Sequence, residues 1–210
     1  PEYSLHSWCQ VILFAVSWFQ KELTLMPFIS QFNKQSFYTY CDELSRKDKH
    51  LRGIIKEHGY PPMWTRRATF QTLILTILEQ QVSLASAYAA FKKLKENIGY
   101  VTPAKLLQLT DEDMRACYFT RQKMGYARGL AEAIQSKKIV LKKFSNLPDE
   151  EVRAILIQLK GIGHWTIDVY LMHALQRTDL FPLGDIALVN SLKEVKQLSK
   201  EISKEEMLEI

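Results

Sequence analysis

Cysteine is scarce in this chain. Cys9, Cys41 and Cys117 are odd in number and scattered, with no metal-ligand spacing among them. That excludes a disulfide framework and a zinc site, and it points to a reducing, intracellular compartment. Gly 8 and Pro 7 in 210 residues are too few for a fibrous or low-complexity protein. No apolar run reaches membrane length. The segment from Trp8 to Phe19 is twelve residues long, against about 20 for a spanning helix, and it lacks the basic flank of a signal peptide. No stretch alternates apolar and polar residues between hairpin turns, so strands are not expected. Acid is the minority charge, Asp+Glu 23 against Lys+Arg 28, for a net charge of +5. The excess gathers between residues 121 and 143, where Arg121, Lys123, Arg128, Lys137, Lys138, Lys142 and Lys143 face only Glu132. A polyanion partner and a solvated helix face both account for such a run.

What is present reads as helix after helix from Ser36 onward. Phe70, Leu73, Ile74, Ile77 and Leu78 recur at the spacing of one buried helical face. Val152, Ile155, Leu156 and Leu159 mark another, ending at Gly161. Thr102-Pro103 and Asn146-Leu147-Pro148 look like helix starts, and Thr110 with Asp113 and Ser203 with Glu206 like capping boxes. A further helix is expected from about Trp165 to Gln176. The chain is therefore all-α. The change of character at Met26-Pro27 sets residues 1–25 apart as an N-terminal extension and makes 26–210 the working domain. The capping box at Ser203 opens a helix with little to bury before Ile210, so the domain is expected to continue beyond it.

The most informative stretch is Leu159-Lys160-Gly161-Ile162-Gly163-His164-Trp165-Thr166, with Asp185 downstream in Phe181-Pro182-Leu183-Gly184-Asp185. Two glycines between helical runs make a turn whose backbone N–H groups can approach a phosphate closely, and the following helix adds its positive end. A carboxylate near a helix start is ordinarily an N-cap; beside a phosphate site it also suggests chemistry.

The hairpin, the Trp-Thr after it and the Pro-x-Gly-Asp downstream together resemble the helix-hairpin-helix superfamily of DNA base-excision glycosylases, its 3-methyladenine DNA glycosylase II branch in particular. The run Phe70 to Ser83, ending Glu79-Gln80-Gln81-Val82-Ser83, is similar to that branch's early core helix. The resemblance spans roughly residues 36–210. It implies a two-lobed helical bundle with a DNA- and base-binding cleft between the lobes, double-stranded DNA containing damaged bases as partner, action as a monomer, and a cytoplasmic or nuclear location. It implies Asp185 as the catalytic carboxylate, stabilising an oxocarbenium-like sugar while water attacks. Bifunctional members carry a lysine at the position of Trp165; an indole cannot form their Schiff base, so no lyase activity is expected. Trp165, Tyr170 and Phe181 are then candidates for the base pocket, the indole attracting a cationic alkylated purine. Trp165 also suits a core position at the head of a helix. Gln81 takes the position of the residue that fills the vacated base stack. Lys160, Gly161, Ile162, Gly163, His164 and the Thr166 hydroxyl are candidates for phosphate contact. Ile186 stands where branch members have an aromatic, and Asp168 reads as structural, bonded to nearby backbone. Some members hold a 4Fe-4S cluster through four C-terminal cysteines; none follows Cys117, and no metal or cofactor is expected. Excision of another lesion, deaminated or oxidised, and a non-catalytic helix-hairpin-helix DNA-binding module are the competing expectations.

Overall fold

In a computed structural model the structure describes residues 30–210; the proposed extension 1–25, with Trp8 to Phe19 and Cys9, lies outside the described residues. These residues form eleven α-helices. They are α1 (Lys34–Lys47), α2 (Lys49–His58), α3 (Phe70–Glu79), α4 (Leu84–Ile98), α5 (Pro103–Leu107), α6 (Asp111–Ala116), α7 (Arg121–Gln135), α8 (Asp149–Leu156), α9 (His164–Ala174), α10 (Ile186–Lys196) and α11 (Lys204–Leu208). A 3-10 turn, Leu141–Asn146, follows α7. No strand occurs among the described residues; a single bridge joins Gln31 and Arg177. None of these helices is long and apolar enough to cross a membrane.

The local signals produce these elements directly. Thr110 accepts from the Asp113 amide while Asp113 accepts from that of Thr110, closing the expected box at α6. Ser203 and Glu206 do the same at α11, where Met207 is buried. Pro103 sits in the first turn of α5 after the Thr102 cap. Pro148 falls one position earlier than a first helical residue and is itself the N-cap of α8. Helix α9 ends at Ala174, two residues short of the expectation.

The described residues divide into two compact units, residues 30–65 with 176–210, and residues 66–175. In the first, α1, α2 and α10 share one core of Phe32, Phe37, Cys41, Leu44, Leu51, Ile54, Leu188 and Val195. Asp48 ends α1 and starts α2: its Oδ1 accepts from the amides of His50 and Leu51 at 2.8 and 3.0 Å. Its other oxygen pairs with Lys196 at the end of α10. Burial resists ionisation of this carboxyl. Lys196 and the two amides outweigh it and hold the pKa below the ordinary 3.8.

In the second unit α3 is the centre. Phe70 and every residue from Thr72 to Glu79 are buried, so the helix is covered all round. Helices α4, α7 and α9 pack on it, α5 and α6 pack on α7, and α8 packs on α9.

Because Asp48's folded pKa is depressed, its stabilisation is complete above its unfolded value and fades as pH falls through the folded one. Asn caps a helix as well as Asp but cannot pair with Lys196. Asp48→Asn is therefore expected to lose about 1 kcal/mol near neutral pH. That difference closes as pH falls through the depressed folded pKa of Asp48, as measured by urea unfolding at a series of pH values.

Candidate nucleic-acid interface and carboxylate site

The glycine turn between α8 and α9 is built from the inside. Ile157 and Leu159 amides donate to the carbonyls of Arg153 and Leu156. The Ile162 amide donates to the Leu159 carbonyl at 3.0 Å, and its side chain is buried. Ile162 is thus the plug that seats the turn, and its amide is not available to a ligand, contrary to expectation. Gly161 has φ +86°, and a Cβ there would enter the ring of Tyr126 from α7. Both backbone and packing require glycine.

Gly163 differs. It is the exposed N-cap of α9 with φ −99°, and nothing lies within 4 Å of where a Cβ would stand. Among the described residues neither strain nor packing demands glycine, and no side chain caps the helix. The start of α9 at Gly163 and His164 is therefore exposed, beside the exposed Lys160. A small-residue face, a helix N-terminus and flanking cations make this a natural seat for a phosphodiester.

Thr166 does not belong to that surface. It is buried to 2% exposure, and its Oγ1 accepts from Gln80 Nε2 at 2.9 Å. Gln80 also donates to the Gly161 carbonyl at 2.8 Å. The threonine supports the turn from within rather than meeting phosphate. Asp168 is structural as expected, but its partner is a side chain, not backbone. Its Oδ1 pairs with Arg153 at 2.5 Å, bracing α9 against α8 across the turn. Burial raises the Asp168 pKa, only partly opposed by Arg153.

Gln81 follows immediately after α3 and its cap. It is exposed, with φ +58°, at the tip of the turn into α4, where Val82 and Leu84 are exposed as well. Two α7 residues hold this region. Lys123 Nζ donates to the carbonyls of Leu78 and Gln80 at 2.7 and 2.8 Å, while Tyr126 covers Gly161. From Arg66, a fork on Glu79 at 2.7 and 2.8 Å pins the end of α3 on another side.

Trp165 and Tyr170 are both on α9 but five residues apart, a rotation of about 140°. Trp165 is half-buried in the first turn. Tyr170 is fully buried with its ring edge-on to Phe144, and among the described residues no hydrogen-bond partner reaches its hydroxyl. The two do not share a face, and Tyr170, expected in a base pocket, is a core residue of its unit.

Asp185 and Phe181 belong to the other unit. The bend before α10 closes through Leu183 N to Phe181 O and Asp185 N to Pro182 O, both 2.8 Å. It places half-buried Asp185 at the N-cap of α10, its Oδ1 accepting from the Leu188 amide at 3.1 Å. Phe181 is half-buried against that unit's core. Ile186, next in the chain, is 76% exposed. Among the described residues no three His, Cys, Asp or Glu gather as a metal-holding group.

Gln80, Lys123 and Tyr126 were not singled out by sequence, although Gln80 stands in the Glu-Gln-Gln-Val-Ser run and Lys123 in the basic run. Their partners lie far along the chain, and no local pattern reveals them.

Compared with known proteins, residues 74–210 match the profile of the HhH-GPD superfamily base excision DNA repair proteins. The chain is 31% identical over 166 residues to YfjP of Bacillus subtilis, covering 75% of this chain and 58% of that protein. It therefore spans a little over half of that relative. It is likewise 31% identical over 164 residues to DNA-3-methyladenine glycosylase 1 of Schizosaccharomyces pombe, covering 75% of this chain and 72% of that one. The solved structure of the Schizosaccharomyces pombe 3-methyladenine DNA glycosylase in complex with abasic DNA superposes with a TM-score of 0.72 at 28% identity, over 80% of this chain and 85% of that one.

The two glycines are expected to separate in a thermal melt. Gly161→Ala is disfavoured by its left-handed backbone and overpacks Tyr126, destabilising by about 2–4 kcal/mol. Gly163→Ala is expected to stay within about 0.5 kcal/mol of the wild type.

Proposed function

The chain belongs to the HhH-GPD superfamily of base excision DNA repair proteins, and from that membership we propose that it is a monofunctional DNA glycosylase removing alkylated purines of the 3-methyladenine kind. The observation that carries this reading is the presence, in one chain, of an uncapped helix N-terminus at Gly163 and a half-buried carboxylate at Asp185. The relatives named for 3-methyladenine support the lesion class.

Damaged duplex DNA is the substrate. The bare start of α9, with Gly163, His164 and Lys160, takes a backbone phosphate; such contacts position the strand without reading its sequence. Gln81, presented on an exposed left-handed turn, fills the stack left by the extruded nucleotide. The C1′–N bond breaks with its electron pair leaving on the base. Asp185 stabilises the oxocarbenium sugar, and water adds its hydroxyl to C1′ while its proton goes to solvent or to the base. A group at a helix N-cap suits this task, because the amide and the helix dipole favour a negative charge there. Trp165, in the place of a Schiff-base lysine, leaves water as the nucleophile, and its indole face attracts the cationic purine.

Asp185→Asn is the decisive variant, since asparagine preserves the α10 cap. Excision from duplexes carrying single defined lesions is expected to fall at least about 100-fold, with the melting temperature and DNA affinity retained. Wild-type excision rates in the variant would remove Asp185 from the chemistry. A lesion panel in which the wild type releases only oxidised or deaminated bases would redirect the substrate class. Trp165→Ala is expected to lower excision of cationic purines by roughly 2- to 30-fold while sparing neutral lesions.

A further inference from the structure

Lys123 is the one residue of the 121–143 basic run whose ammonium contacts buried-helix carbonyls. Its half-buried Nζ donates to Leu78 O and Gln80 O, the last carbonyls of a helix with no basic residue in its own final turn. A helix end packed all round needs its orphan carbonyls satisfied and its negative pole matched, so the cation comes from α7. The residue whose carbonyl it holds, Gln80, reaches the glycine turn with its side chain, at Gly161 O and Thr166 Oγ1. One helical turn beyond Lys123, Tyr126 lies on Gly161. A closed circuit results, running α7 to the end of α3, from there to the glycine turn, and back to α7. Gln81 and the bare start of α9 both hang from it.

The geometry points to Lys123 as a positioning residue that, through Gln80, couples the Gln81 turn to the phosphate-gripping glycine turn, and not as a DNA-contacting cation. This rests on the glycosylase reading for what the two turns do, though the coupling itself is a property of the free protein. Insertion at Gln81 then fixes the strand grip at Gly163, and slack in either is felt by both.

Lys123→Met removes the donations and keeps the stem; Lys123→Gln, with a shorter donor, is the milder second variant should the first fail to melt cooperatively. In hydrogen–deuterium exchange of the free chain, peptides spanning residues 79–84 and 160–167 are both expected to exchange faster in either variant. On a duplex carrying an abasic-site analogue opposite 2-aminopurine, the slope of log affinity against log salt is expected to stay at the wild-type value. A phosphate-bound lysine would make that slope shallower by about 0.9. The 2-aminopurine signal is expected to fall, and single-turnover excision to slow by roughly 10- to 100-fold. Unchanged exchange at 160–167, or a shallower salt slope, overturns the coupling. A wild-type chain that releases no base overturns the glycosylase reading instead, and the exchange result still judges the circuit.

Discussion

The end of α3 is the constraint on which this structure turns. A helix buried on all sides has nowhere to hide its last carbonyls, and unpaired they would cost as much as any buried polar group. Two side chains from outside the helix converge there, and a third reaches outward from its cap. Lys123 takes the carbonyls, Arg66 forks onto the buried Glu79 carboxylate, and Gln80 bonds the turn before α9. A satisfied buried network of this kind rigidifies because none of its members can move without leaving another unpaired. The Arg66 main chain extends it, its amide donating to the His173 carbonyl of α9. The helix that carries the exposed glycine face is therefore tied to the buried centre at both ends.

Within the glycine turn the labour is divided residue by residue. Gly161 serves the interior, where Tyr126 leaves no room for a Cβ, and Ile162 anchors the bend in the core. Gly163 serves the exterior. Serine or threonine would cap α9 better and its Cβ would meet nothing among the described residues; on the proposed function, the room left by the missing side chain is taken by a backbone phosphate. Arg153 and Asp168 set the splay of the two helices around it.

Much of the fold was legible because its signals are local. Capping boxes at Thr110 and Ser203, the proline starts and the α3 face need only three or four neighbouring residues to declare themselves. Of the candidate site, the local backbone was legible: the Gly-Ile-Gly turn joins two helices and Asp185 caps the start of one. One failure is local, the Ile162 amide being taken by the Leu159 carbonyl three residues earlier; most of the others are long-range. Thr166 looked like a phosphate donor because its spacing suits one, but Gln80, far earlier in the chain, claims its hydroxyl. The basic run looked uniform, yet Lys123 is used on carbonyls and Arg128 on Asp111 and the Leu109 carbonyl. Tyr170 looked like pocket lining because helical position alone does not say which side of α9 faces the core.

That sorting of the basic run bears on how the chain would hold DNA. With Lys123 and Arg128 committed internally, the exposed cations of the run are Arg121, Lys137, Lys138, Lys142 and Lys143, joined by Lys160 at the turn. Such a field attracts any stretch of duplex alike and weakens with salt. On the proposed function, discrimination must then arise after the grip, in the cost of extruding a nucleotide, which is lowest for a damaged or mispaired base. The attraction of the Trp165 indole for positive charge adds a second filter. A rigid, sequence-blind grip is what such a division requires, since slack in the strand's position would blur both comparisons. The polar circuit at the end of α3 is the feature of this chain that supplies the rigidity.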